Sequence, residues 1–153
     1  MTRLFLVHSL CQQVAEIISS VLGTEVQIID EDLTTIAGTG IYKQMVGTRD
    51  AEAFCKNSPS PYLYTKILTS AESFIIEDTR NNPMYGPTSS GETAEICAPI
   101  ELADEVIGII SLLALDKDQQ HRLLSQKTDL LTFLQQMAYL ISSRIVAEEA
   151  HDE

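Results

Sequence analysis

Three cysteines (Cys11, Cys55, Cys97) and three histidines (His8, His121, His151) have the broadest chemical reach in this chain. Their spacing gives them little to do with it. No two cysteines form a CxxC pair. The histidines are scattered over predicted helices, without a Cys or acidic partner at metal-ligand spacing, so no metal site is expected. Cys11 and Cys97 sit inside apolar patterns, where a thiol behaves as a small core group, and Cys55 lies in a polar stretch and is expected at the surface. Gly38-Thr39-Gly40 is only a fragment of a glycine-rich phosphate loop and reads instead as the exit of a hairpin. No Ser/His/Asp set is suggested by spacing. The acidic pairs Glu31/Asp32 and Asp104/Glu105 fall in predicted turns, where solvated charge is the ordinary reading. The expectation is a protein that catalyses nothing and carries no cofactor.

Tyrosine is what clusters. Tyr42, Tyr62, Tyr64 and Tyr85 all lie in the irregular middle of a chain with five Tyr and no Trp. A phenol offers an apolar body with a polar tip, which suits a small ligand in a mostly apolar cavity. Arg80 opens a long loop, and its fork of donors suits an anionic effector. Cys97 lies on a predicted strand able to line the same cavity. Tyr42, Tyr62, Tyr64, Arg80, Tyr85 and Cys97 are therefore the candidate ligand contacts.

The 153 residues allow one domain, spanning 1–153, with a sizeable core. Ten Lys plus Arg against 22 Asp plus Glu give a net charge of −12, with no basic run. Such a surface repels phosphate backbones and anionic lipid, so neither nucleic acid nor membrane is an expected partner. The longest apolar run, Val106 to Leu115, is about half of the ~20 residues that span a bilayer. Leu10 stands before Cys11 where a lipoprotein signal needs a small residue, so no export signal is read. Three cysteines that cannot all pair with one another suit a reducing compartment, and a cytoplasmic protein is expected.

Apolar residues recur at helical spacing from Leu4 to Leu22, and Gly23 ends that helix. Strands are expected at Glu25–Asp30 and Leu33–Ala37, short helical pieces at Thr48–Phe54 and Pro61–Thr69, and a third strand at Ser73–Glu77. Gly, Pro, Asn and Ser crowd Asp78 to Gly91, which predicts a long surface loop. Two strong strands follow, Ala94–Leu102 and Glu105–Leu115, joined by a tight turn at Ala103-Asp104. The second shows no apolar/polar alternation, so both its faces should be covered. One long helix, Asp118 to Ala150, closes the chain. Its apolar arc, like that of the first helix, is wider than one sheet needs, and the surplus suits packing against a second copy. The fold class is α+β: a central antiparallel sheet of five or six strands with the long N- and C-terminal helices on one face.

Three segments resemble a GAF domain: Val26-Gln-Ile-Ile-Asp30 with its hairpin, the pairing Ala98-Pro-Ile-Glu-Leu102 with Glu105-Val-Ile-Gly-Ile-Ile110, and the flanking helices. More narrowly, Asp30-Glu-Asp-Leu-Thr-Thr-Ile-Ala-Gly-Thr-Gly40 and Asp129-Leu-Leu-Thr-Phe-Leu-Gln-Gln-Met-Ala138 resemble the N-terminal sensory domains of bacterial sigma-N (sigma-54)-dependent transcriptional regulators. The resemblance implies a GAF/PAS-like sheet, an unknown small-molecule effector, a homodimer through the terminal helices, and a covalently attached output module. Relatives of this kind often carry cysteines in the long loop; Asp78 to Gly91 has none, which argues against metal there. The alternatives are a dimerisation or interaction module with a vestigial pocket, the sensor of a histidine kinase and, more remotely, a GAF-fold methionine sulfoxide reductase using Cys97.

Overall fold

The computed structural model describes residues 2–49, 63–85 and 91–151. The expected helix Thr48–Phe54 lies mostly outside them. Its two described residues are extended: Arg49 bridges Thr34 in antiparallel fashion, and the Thr35 N–H bonds to the Thr48 carbonyl.

The chain opens with a 3-10 turn, Leu4–Val7, that runs into helix α1, His8–Leu22. The helix therefore starts four residues later than its apolar period suggests. Gly23 ends α1 with φ +72°, its N–H bonding back to the Ser19 carbonyl. A hairpin of β1 (Glu25–Asp30) and β2 (Thr35–Gly38) comes next. Its turn is organised by Asp30, which is 4% exposed and whose Oδ1 accepts the backbone N–H groups of Asp32 and Thr34. Leu33 adopts φ +64° in that turn and is not part of the strand. A second 3-10 segment, Gly40–Met45, carries Tyr42 into the interior. Helix α2 (Leu63–Ser70) and strand β3 (Phe74–Ile76) follow. Strands β4 (Ala94–Leu102) and β5 (Glu105–Ala114) form a hairpin in which Ala103 and Asp104 both have positive φ. That turn geometry matches the right-handed twist of its strands.

The predicted last helix is two. Helix α3 (Lys117–Ser125) is capped by Asp116, which accepts the Gln119 N–H at 2.8 Å. The chain leaves helical geometry at Gln126 and resumes as α4, Lys127–His151. The break lets α3 lie against β5 while α4 runs along β4.

The five strands form one antiparallel sheet in the order β2-β1-β5-β4-β3. β5 is central, and from Ile107 to Ala114 every residue is buried. One face carries Val26, Ile28, Ile96, Ile100, Ile110 and Leu112 and packs against the opening 3-10 turn, α1, α3 and α4 through Leu4, Cys11, Ile18, Leu123, Leu134 and Ile141. The other face presents Ile29, Ile76, Cys97 and Ile109 to Leu63, Tyr64 and Ile67 of α2. The missing alternation in β5 thus has the expected cause, cover on both faces, and here helices supply it on each. Gly108 is needed on the first side, because a Cβ there would come within 2.5 Å of the Ile29 carbonyl and 2.6 Å of a Leu4 methyl. By length and composition alone, Leu4–Leu22 and Lys127–His151 could span a membrane; here both turn an apolar side to the sheet.

Candidate functional site

The face covered by α2 holds the polar groups that an apolar layer does not need. Alternation along β4 sends Ala94, Ile96 and Ala98 toward α1 and α4, and Glu95 and Cys97 toward α2. Glu95 is 1% exposed. Its Oε2 accepts the Tyr64 hydroxyl at 2.6 Å, and Ser111, opposite Cys97 on β5, bonds the same carboxyl. Burial raises the Glu95 carboxyl to about 7, against the smaller opposing effects of Tyr64 and Ser111. A buried carboxyl poised near neutrality within a hydrogen-bonded set is a candidate for function.

Tyr42 extends the cluster. It is 1% exposed, and its hydroxyl donates to Glu92 Oε1 at 2.7 Å. Burial raises its phenol first, then Glu92, with smaller contributions from Glu95 and Glu25. Glu25 in turn accepts the Thr39 hydroxyl at 2.6 Å. Two of the predicted tyrosines therefore converge with three carboxylates at one end of the sheet. Tyr85 packs against the α2-side core, and its hydroxyl is buried with no hydrogen-bond partner among the described residues. Its loop is tied to α2 through the bond from the Leu63 N–H to the Met84 carbonyl.

Cys97 sits in this layer with its thiol 3.8 Å from the Phe74 carbonyl. Burial, then the nearby Glu95, pushes it well above its ordinary range; burial likewise pushes Cys11 up to about 12. Neither is a ready thiolate. Arg80 does not join the tyrosines. Its side chain is 80% exposed and its guanidinium reaches Asp78 Oδ1 at 3.2 Å. Tyr62 and Cys55 lie outside the described residues. Among those residues, no group of three His, Cys, Asp or Glu could hold a metal ion.

Glu95, Ser111 and Glu92 are absent from the sequence-derived candidates. Glu95 and Ser111 lie within mostly apolar stretches of β4 and β5, a signal that calls for a buried partner only once those stretches are known to be sealed from water. A large surface groove of about 680 Å³ lies elsewhere, between β4 and α4, lined by Pro99, Ala103, Ala138, Tyr139 and Ser142 among others. We place the candidate chemistry at Glu95 rather than there, because the groove holds no buried titratable group.

Residues 7–145 match the GAF domain family. The chain belongs to that family. It is 25% identical over 142 residues to an Escherichia coli (strain K12) protein named as a uric acid sigma-54-dependent transcriptional regulator, UacR. That match covers 90% of this chain and 23% of the regulator, so the chain spans about a quarter of its relative. Among solved structures, the GAF domain of a phosphoenolpyruvate-protein phosphotransferase from Coxiella burnetii is similar with a TM-score of 0.66 and 13% identity, covering 95% of this chain and 85% of that one. Type II free methionine-R-sulfoxide reductase from Thermoplasma acidophilum is similar with a TM-score of 0.61 and 13% identity, over 94% of both chains. This last likeness corrects one expectation. A GAF domain of this shape also serves as an enzyme, so the absence of a catalytic motif does not exclude catalysis by this fold. At these identities both structural likenesses establish the fold.

Proposed function

We propose that this GAF domain is the sensory module of a cytoplasmic sigma-54-dependent transcriptional regulator. A small molecule would bind on the α2 face, at Glu95 and the tyrosines around it. The observation that carries the sensing role is Glu95 itself, a fully buried carboxyl bonded to Tyr64 and Ser111 in a layer that packing alone would fill with apolar side chains. Of the six sequence-derived contacts, Tyr42, Tyr64, Tyr85 and Cys97 lie in or against that layer. Similarity to a sigma-54-dependent regulator over 90% of the chain supports the regulatory setting.

The readout would pass through a homodimer of the terminal helices to an attached output module. Ile17 and Val21 of α1 are 63% and 77% exposed, and Tyr139, Leu140 and Val146 of α4 are 75%, 47% and 54% exposed. Large apolar side chains at this exposure on neighbouring helices suit a partner surface. Binding would shift a two-state arrangement of those helices.

A thermal-shift screen with small metabolites, purines among them because of the relative's name, tests the sensing role. A rise in melting temperature that is lost in E95Q supports it, and a screen in which no compound raises the melting temperature leaves only an interaction module. Light scattering at tens of micromolar tests the dimer, and a strictly monomeric chain refutes it.

A further inference from the structure

We infer that the site on the α2 face takes a ligand that donates hydrogen bonds and carries no negative charge, such as the N–H groups of an amide, ureide or lactam ring, with Glu95 as their acceptor. This rests on the sensory reading above and adds the class of ligand to it.

The first support is the balance of charge around the site. Glu95, Glu92 and Glu25 all act on Tyr42, so three carboxylates gather within one small region. The groups that act on Glu95 are Tyr64 from α2 and Ser111 from β5; Cys97, its neighbour on β4, is uncharged at neutral pH. The described cations of the surrounding elements are directed elsewhere. Arg80 pairs with Asp78, Lys43 with Glu16, the Lys66 ammonium lies 5.6 Å over the Phe74 ring, and the Arg49 side chain donates to the Asp32 carbonyl. An anion placed beside Glu95 would lose its water and meet like charge, with no described cation in compensation.

The second support is unused hydrogen-bonding capacity. A carboxylate offers about four acceptor positions, and Glu95 has two described partners. An incoming N–H can fill the remaining positions or displace the Tyr64 hydroxyl. On the same side of the sheet, the buried Tyr85 hydroxyl lacks a partner among the described residues. Buried polar atoms are rarely left so, and a ligand acceptor or donor would complete it.

A ligand donor on the Glu95 carboxylate favours its ionised form, so binding near pH 7 should release a proton; an anion would draw one in. The test is isothermal titration calorimetry of the 153-residue chain near pH 7, in two buffers of different ionisation enthalpy. The probes are hypoxanthine and allantoin, both uncharged at that pH, and urate and orotate, both largely anionic. The expected result is binding of an uncharged probe at least roughly tenfold tighter than either anion, with proton release, and a further loss of about tenfold or more in E95Q. The proton count is read on the unaltered chain and stands even where E95Q folds poorly. Three outcomes overturn the inference: an anion that binds as tightly as the uncharged probes, proton uptake on binding, or no binding by any of the four. Anion binding would leave the sensory reading intact. Only failure of the wider metabolite screen removes that.

Discussion

Replacing Glu95 by Gln keeps the shape of the side chain and removes its ability to ionise, which isolates what the buried carboxyl does to stability. An unfolded carboxyl of this kind ionises at 4.5 and the folded one at about 7. At about 1.4 kcal/mol per tenfold change in a proton equilibrium, ionising Glu95 in place costs the fold about 3 kcal/mol. The folded chain holds this proton more tightly than the unfolded one. Its contribution is therefore fully present below pH 4.5, shrinks as pH rises toward about 7, and is gone above that. Glu31 is also raised, by burial and then by Asp32, but it sits at the surface and is common to both proteins. In E95Q the amide can still accept from Tyr64, so the fold is kept while the pH slope is lost. Urea or thermal unfolding of both proteins, from about pH 4.5 to 8.5, should give curves that converge at the acid end. They should part toward pH 8, where E95Q is the more stable by up to about 3 kcal/mol, or roughly 6–12 °C in Tm. Parallel curves would refute the assignment of a shifted, buried carboxyl.

Other outcomes follow from the same packing. Leu4→Ala should cost about 2–5 kcal/mol in urea unfolding, because Leu4 is fully buried against Gly108 and leaves a cavity. Arg3→Ala should cost less than about 1 kcal/mol, even though Arg3 grips Glu149 through both its Nε and Nη2, since that pair is some 40% exposed. Cys97 and Cys11 should react with a thiol reagent only as fast as the chain unfolds, which timed labelling with and without urea would measure. Ile17→Glu combined with Tyr139→Glu should abolish the proposed dimer in light scattering at little cost to Tm, since both side chains are already exposed.

Much of this fold can be read in the residues because two signals are strong. The run from Ile107 to Ala114, polar only at Ser111, demanded cover on both faces, and Ala103-Asp104 between two apolar strands demanded a tight hairpin. The break at Gln126 was illegible for a physical reason. No Gly or Pro marks it, and the apolar period runs on through Leu123, Leu124, Leu130 and Leu131, so only the direction change between β5 and β4 imposes it. The 3-10 geometry of Leu4–Val7 is hidden likewise, because Leu4 and Val7 keep helical spacing while their packing is set by Gly108 and α4. At the site, tyrosine composition pointed to Tyr42 and Tyr64, but the carboxyls they serve went unread. A charge in a strand announces itself only once its neighbours are known to be sealed from water. Arg80 shows the converse: its chemistry suited an anion, and the nearby Asp78 took it.

The strand order also sets a schedule for assembly. β5 is flanked by β1 on one side and β4 on the other, and Glu25 pairs with Leu113 across most of the chain. As the polypeptide leaves the ribosome, the β1–β2 hairpin can close at once, yet its inner edge stays bare until β4 and β5 have both emerged. Such distant pairing slows folding and leaves Val26, Ile28 and Ile29 open to stray strands in the interval. The α1 helix, made before any strand and built to lie across that hairpin, is the one element available to shield it while the chain waits.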